Sequence, residues 1–269
     1  MIFVRDKGRL CNNILQYGHL YAWGREHGRR TVSMRFAYKY RYFHICHTRW
    51  HNPLTYLFAK YSAKWHLLPV ASFDTEGDDR PERMLMEHHN IVAEGWCAHW
   101  YDLFLKYKPE ILRLFAIDKK YKRNADELLA WQPKDGVRVG LHVRRGDYLT
   151  WNGGRYYYSD AQFAAVLRQF AALHPGKHLQ VFVCGNDPSL DESSYREALP
   201  GCTVLFPKGS AIADLYLLSQ CDWLIGPPST FTLVASMYRN VPLYWIEDPA
   251  APVTAGSFAF FDTLFREIR

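Results

Sequence analysis

From residue 137 onward the chain alternates short, β-rich apolar runs with amphipathic helical segments, and this alternation restricts it to a parallel α/β architecture. VRVGLHV, HLQVFVCG, CTVLF, CDWLIG and VPLYWI read as buried strands. Between them AQFAAVLRQFAALH, LDESSYREAL, AIADLYLLSQ and STFTLVASMYRN carry apolar residues at three- and four-residue spacing, as helices with one buried face do. Strands that alternate with helices form a parallel sheet covered on both faces, which is why the strands are nearly continuous in apolar residues.

The first half is less regular. IFVR reads as a strand, a helix follows from about Asn12 to His27, then TVSMRF, then an aromatic- and His-rich stretch to about residue 66. EGDDRPER is a polar loop, and YDLFLKYKPEILRLFAI with KKYKRNADELLAW reads as paired helices. The 269 residues divide at WQPKDG, a Pro- and Gly-containing connector, into domains over 1–135 and 136–269. Two Rossmann-like units facing a cleft would bind ligands beyond the carboxyl ends of their strands.

With 48% apolar and 22% charged residues, the chain is neither disordered nor fibrous. No run approaches the roughly 20 apolar residues of a membrane span, and MIFVRDKGRLCNN lacks a signal-peptide core, so a cytoplasmic protein is expected. The six cysteines contain no CxxC pair and read as reduced packing residues. A net charge of +6 suits an anionic ligand, an anionic membrane surface or nucleic acid. Because the basic residues are spread rather than striped, nucleic acid is not the expected partner. Aromatic residues at 16% fit either sugar stacking or a bulky core. His44, His47 and His51 recur at helical spacing without an HExxH pattern, so no metal site is expected. Neither GxxxxGK[ST] nor GxGxxG occurs, which argues against a P-loop NTPase and a dinucleotide dehydrogenase.

Three segments can carry chemistry. In GLHVRRGDYL a strand delivers Arg144 and Arg145 to its carboxyl end. Neighbours in extended chain point oppositely, so one can reach a ligand while the other pairs with a carboxylate such as Asp147, or the group is only a surface ion-pair cluster. In GPPSTFTLVASM, Ser229 stands where a helix N-cap belongs, and the cap hydroxyls with the free helix N–H groups form an anion pocket or simply a cap. In GRLCNNILQYGHLYAW, Gly8 turns the chain, and Asn12 or Asn13 opens a helix with an amide able to donate and accept.

Together these segments resemble the α-1,2-fucosyltransferases and, more loosely, the α-1,6- and protein O-fucosyltransferases. HVRRGDY is similar to the family's H-[IV]-R-R-G-D-Y signature, DLYLLSQCDWLIGPPSTFT to its second block, and GRLCNNILQYGHLYAW and EGWCAHWYDLF to its opening and mid-chain segments. Cys11 and Asn13 depart from the pattern, as does Thr232-Leu233-Val234 after the second block. The resemblance implies a GT-B-type glycosyltransferase fold with an acceptor-side N-terminal domain and a C-terminal domain binding GDP-fucose. It implies an inverting transfer of L-fucose to a glycan or lipid-linked acceptor, α-1,2 to galactose as the leading linkage, with no cofactor or metal required. On that pattern His142 contacts the nucleotide, Arg144 the β-phosphate, Asp214 the guanine N–H edge, and Ser229 with Thr230 the pyrophosphate. Arg145, Asn186 and Phe231 complete the expected donor contacts, with Arg144, Asp147 and Asn12 as the catalytic set. Asp147, Glu94 and Asp74 are the candidates for a general base. The alternatives are a related transferase using another sugar nucleotide and a non-catalytic binding protein on the same scaffold, and peripheral association with the inner face of a membrane is left open.

Since fixed cations and N–H donors take the place of a metal at the pyrophosphate in this reading, turnover is expected to persist in excess EDTA. Loss of turnover, restored by Mg²⁺ or Mn²⁺, would overturn that expectation.

Overall fold

The computed structural model describes residues 1–133, 135–185 and 187–268. They form two compact units, residues 1–118 and 119–268.

The first unit runs β1 (Ile2–Val4), α1 (Leu10–Glu26), β2 (Thr31–Ser33), α2 (Phe36–Lys39), α3 (Pro53–Lys64), β3 (Val70–Ser72), α4 (Arg80–Glu87), β4 (Ile91–Glu94) and α5 (Tyr101–Leu114). Its four strands are parallel in the order β2-β1-β4-β3, with Phe3 level with Val32 on one side and Val92 on the other. The abundant aromatic residues here are largely core. Tyr17, Trp23, Tyr40, Phe43 and Phe115 are fully buried, and Phe115 meets Tyr17, Tyr40 and Phe43 edge-on at 5.1–5.7 Å between centroids. Each such side chain removed from water contributes roughly 1.5–3 kcal/mol. Buried His51 is likewise structural: its Nε2 accepts from the Ser33 amide at 3.0 Å, and its Nδ1 lies 2.7 Å from the Thr48 hydroxyl.

The second unit runs α6 (Lys119–Ala130), β5 (Val137–Val143), α7 (Asp160–Ala172), β6 (Leu179–Gly185), α8 (Glu192–Ala198), β7 (Thr203–Leu205), α9 (Ala211–Ser219), β8 (Trp223–Gly226), α10 (Thr230–Arg239), β9 (Leu243–Trp245) and α11 (Phe261–Leu264). The five parallel strands lie in the order β7-β6-β5-β8-β9. The order reverses between β5 and β8, and such a switch point is where open α/β sheets bind ligands. All five expected strands and the four helices between them are present. The division falls between Asp118 and Lys119 rather than at residues 131–136. Helix α6 belongs to the second unit because it packs on α9, where the Tyr216 hydroxyl donates to Asp126 at 2.6 Å and Lys122 lies over the Tyr216 ring.

Gly18 shows how tightly α1 and α5 pack. A Cβ at this position would lie 2.2 Å from Cε2 of Phe104, whose ring is fully buried. Gly18→Ala is therefore expected to destabilise the protein by about 1–3 kcal/mol through overpacking, read as a lowered denaturation midpoint with an unchanged denaturant m-value.

Candidate functional site

The period-two geometry of β5 distributes the residues at its end between two sides of the sheet. Val139, Leu141 and Val143 face the core formed with Phe163, Val166 and Leu167 of α7. Gly140 faces the other way, where a Cβ would lie 2.5 Å from Leu218 of α9 and 2.7 Å from Leu224. His142 shares that face and stacks on Phe231 of α10, ring centroids 4.7 Å apart and 25° between planes. The alternation continues beyond the strand, so Arg144 joins the α9–α10 side while Arg145 goes to the α7–α8 side.

Arg144 bridges the switch point. Its Nη2 donates to Asp147 at 2.9 Å, its Nη1 donates to the Ser229 hydroxyl at 3.2 Å, and its guanidinium lies 4.5 Å from the centre of the Tyr148 ring. The Tyr148 hydroxyl in turn donates to the carbonyl of Pro228 at 2.5 Å. The loops after β5 and β8 are thus tied together by one arginine and one tyrosine. Ser229 is the N-cap of α10, its hydroxyl accepting from the Phe231 amide at 3.1 Å. Thr230 opens that helix, whose first-turn N–H groups and dipole favour an anion. Thr232, Leu233 and Val234 are buried, and Thr232 accepts from the Trp245 indole at 3.1 Å. They support the cap from within.

Near the switch point, His142 Nδ1 and Asp214 Oδ1 are buried without a hydrogen-bond partner among the described residues, as is Gln180 Oε1 farther along the same side of the sheet. Buried polar groups are seldom left unpaired, and ordered water or a ligand group is what completes such atoms. Asp214 lies in the first turn of α9. Burial raises its carboxyl to about 6. His142 is held neutral, pushed down to about 3 by burial and then by the charge of Arg144.

Arg145 differs from the expectation that it contacts the donor. Its side chain is buried, Nη2 lying 2.7 Å from Asp160 in an ion pair off the hydrogen-bond axis, while Nη1 donates to Asp187 at 3.1 Å and Nε to the carbonyl of Tyr158 at 3.1 Å. Asp160 also accepts from the Tyr195 hydroxyl at 2.6 Å, and Asp187 from the amide and hydroxyl of Ser189. The carboxylates that take this arginine are therefore Asp160 and Asp187, whereas Asp147 takes Arg144. In the sequence Asp160 follows Ser159 at a helix start, and Asp187 stands in CGNDP just past the end of a strand, where an acidic loop residue is expected, but neither position names Arg145 as the partner. Asn186 lies outside the described residues.

The remaining candidates are in the first unit. Asn12 sits in the first turn of α1, which begins at Leu10 with Arg9 as its N-cap, so neither Asn12 nor Asn13 is the cap. Asn13 is buried and donates to the Gly8 carbonyl at 3.3 Å. Glu94 pairs with Arg5 at 2.5 Å and with Lys7 at 3.7 Å, while Asp74 is exposed after β3.

The raised carboxyl of Asp214 has a measurable sign. The native state holds its proton up to about pH 6, whereas the unfolded chain releases it near pH 4. Stability is therefore lost as pH rises through that window, and the penalty is complete above it. Asp214→Asn is expected to stabilise the ligand-free protein by about 1–3 kcal/mol at pH 7.5 and to match it near pH 4, measured as melting temperature against pH. A destabilised Asn variant at pH 7.5 would show that the carboxylate is satisfied within the protein.

No family model matches the chain. It is 26% identical over 259 residues to galactoside 2-alpha-L-fucosyltransferase SEC1 of Bos taurus, covering 87% of this chain and 63% of that protein. It is also 26% identical over 265 residues to the Sec1 enzyme of the same name from Mus musculus, covering 88% and 64%. The chain thus spans less than two thirds of the length of these curated relatives. Among solved structures it is similar to NodZ alpha-1,6-fucosyltransferase soaked with GDP-fucose, with a TM-score of 0.60 and 16% identity over 96% of this chain and 98% of that one. A mutant of Arabidopsis thaliana FUT1 in complex with GDP gives a TM-score of 0.65 at 14% identity, covering 96% and 73%. What the chain shares with these structures is the fold, a pair of Rossmann-like parallel α/β units of the GT-B glycosyltransferase type.

Proposed function

We propose that the chain transfers L-fucose from GDP-fucose to a hydroxyl of a glycan, with galactose as the acceptor sugar and an α-1,2 linkage. The observation that carries this reading is the set gathered on one side of β5: Arg144 bonded to the N-cap of α10, with the unpartnered atoms of Asp214 and His142 on the same side of the sheet. It fits a guanosine diphosphate. A carboxylate pairs with the N1–H and 2-amino donors of guanine, which no other common base presents in that arrangement. The neutral, Phe231-stacked imidazole of His142 offers a hydrogen-bonding edge to the nucleotide without adding charge. Ser229, Thr230 and the start of α10 receive the pyrophosphate. The galactoside specificity rests on the similarity to the galactoside 2-alpha-L-fucosyltransferases.

In this mechanism the acceptor oxygen bonds to the anomeric carbon on the face opposite the diphosphate. The bond to the phosphate oxygen breaks with its electron pair leaving on GDP, and the hydroxyl proton passes to solvent water or to the departing diphosphate. A β-linked donor gives an α-linked product. Negative charge grows on the β-phosphate as the bond breaks, and Arg144 meets it without first having to reorganise, because Asp147, Ser229 and Tyr148 already hold the guanidinium. A loose, oxocarbenium-like transition state asks little deprotonation of the acceptor, so a strong general base is unnecessary. The unit over 119–268 is assigned to the donor and the unit over 1–118, with Asn12, to the acceptor side. Arg145 acts as a positioning residue behind Arg144.

GDP release from GDP-fucose in the presence of a galactoside panel tests the reaction, and stabilisation by UDP but not GDP would redirect it to another sugar nucleotide. Arg144→Ala is expected to lower kcat/KM by about 10²–10³, or roughly 2–4 kcal/mol of transition-state stabilisation. Arg144→Lys should recover part of that, since it keeps the charge but not the forked donors. A folded alanine variant within threefold of wild type would remove Arg144 from the mechanism.

A further inference from the structure

Helix α3 is oriented opposite to a normal surface helix. It seats its small residues on the sheet: Ala59 and Ser62 are buried, and Ala63 packs on the cluster of Phe3, Val32, Met34 and Val92. Its large apolar side chains face outward. Leu54, Leu57, Phe58, Tyr61 and Trp65 are all exposed, Leu54 to 79% and Trp65 to 62%. At helical spacing these five positions fall within one sector of roughly 100°. Lys60 and Lys64 lie along one edge of that sector, with the Lys60 ammonium 5.8 Å from the ring centres of both Tyr56 and Tyr61. Asn52 caps the helix by accepting from the Thr55 amide at 3.0 Å, and Pro53 takes the first position, so the helix is built independently of anything that covers its outer face.

The segment that carries this face has side-chain charge of one sign. No Asp or Glu occurs between Glu26 and Asp74, a stretch that contains eight Lys and Arg residues, Arg49, Lys60 and Lys64 among them. Those eight charges exceed the +6 of the entire chain, so the remaining residues are slightly acidic. The basic residues are spread along the sequence, as expected from their spacing; it is the acidic ones that are missing here.

We propose that the outer face of α3 docks on an anionic phospholipid bilayer. Aromatic and leucine side chains enter the boundary between headgroups and acyl chains, and lysines at the edge of an apolar stripe extend to the phosphates. A helix of 12 residues is about 18 Å long and cannot cross a hydrocarbon core of about 30 Å, so it lies in the plane of the surface. No helix among the described residues is long and apolar enough to cross a membrane. A segment without acidic residues, with Lys60 and Lys64 at the edge of its apolar stripe, favours a negatively charged surface, whereas a second copy of the same face would bring like charges together. The proposal does not depend on the transfer reaction.

Flotation of the full chain with phosphatidylcholine vesicles, and with vesicles containing about one-third phosphatidylglycerol, tests it. Binding is expected to be at least tenfold tighter to the anionic vesicles and to weaken with salt. Leu54→Ser combined with Trp65→Ser should lower that binding about tenfold or more. Lys60→Glu combined with Lys64→Glu should remove the preference for phosphatidylglycerol. All four side chains point outward, so melting temperatures should match wild type. Wild-type protein that ignores the anionic vesicles, or folded variants that bind them as wild type does, would overturn the proposal. So would a wild-type dimer, seen by light scattering without vesicles, that Leu54→Ser with Trp65→Ser converts to monomer, because the face would then belong to a second copy.

Discussion

The buried pairing of Arg145 with Asp160 and Asp187 is the interaction on which the geometry of the candidate site depends. It holds the chain leaving β5 against the start of α7 on one side and the turn after β6 on the other. With that chain direction set, Arg144 has one side of the sheet available, where Asp147, Ser229 and Tyr148 receive it. Removing one partner from a buried ion pair costs about 3–5 kcal/mol because the other charge stays buried and uncompensated. The network is therefore a poor place for drift, although none of its carboxylates lies on the Arg144 side. Tyr195 and Ser189 extend the same network by donating to Asp160 and Asp187, which fills the acceptor capacity an arginine alone would leave open.

The two sides of β5 are treated in opposite ways. On the α7–α8 side the charged groups are matched with partners. On the α9–α10 side, Asp214 Oδ1 and His142 Nδ1 are buried with none among the described residues. Leaving such groups unsatisfied costs about 1–3 kcal/mol each. The contrast is one of charge: Arg145 on the α7–α8 side has two carboxylate partners, although its Nη2 is off the hydrogen-bond axis, whereas Asp214 has no cation paired with it among the described residues. The raised carboxyl of Asp214 and the lowered imidazole of His142 report the same desolvation from opposite directions, since burial disfavours the charged form of each.

Charge is unevenly distributed along the chain. The positive charge of the chain is concentrated where acidic residues are absent, in the first unit, and the outward-facing stripe of α3 lies within that stretch. The second unit has its core around β5 and β6, and outside it exposes single large apolar residues such as Trp131 and Leu149. Its specialised features are polar and sit at the carboxyl ends of strands.

Sequence alone determined the parallel α/β class and the strand and helix order of the second half, because periodicity of two and of 3.6 is a local property that survives without tertiary context. It also placed Ser229 as a helix cap and both arginines at a strand end, and the contrast between adjacent extended residues anticipated that one arginine would pair away from the ligand side. Tertiary structure decided which one. The identity of the partners, Asp160 and Asp187 rather than Asp147, depends on contacts 15 and 42 residues away in the chain, and no local pattern encodes those. The same holds for α6, whose amphipathic pattern announces a helix but not the unit on which it packs. It holds most clearly for α3, which lies in a stretch read from the sequence only as aromatic- and His-rich: the packing of Ala59 and Ser62 on the sheet decides that its larger apolar residues are exposed.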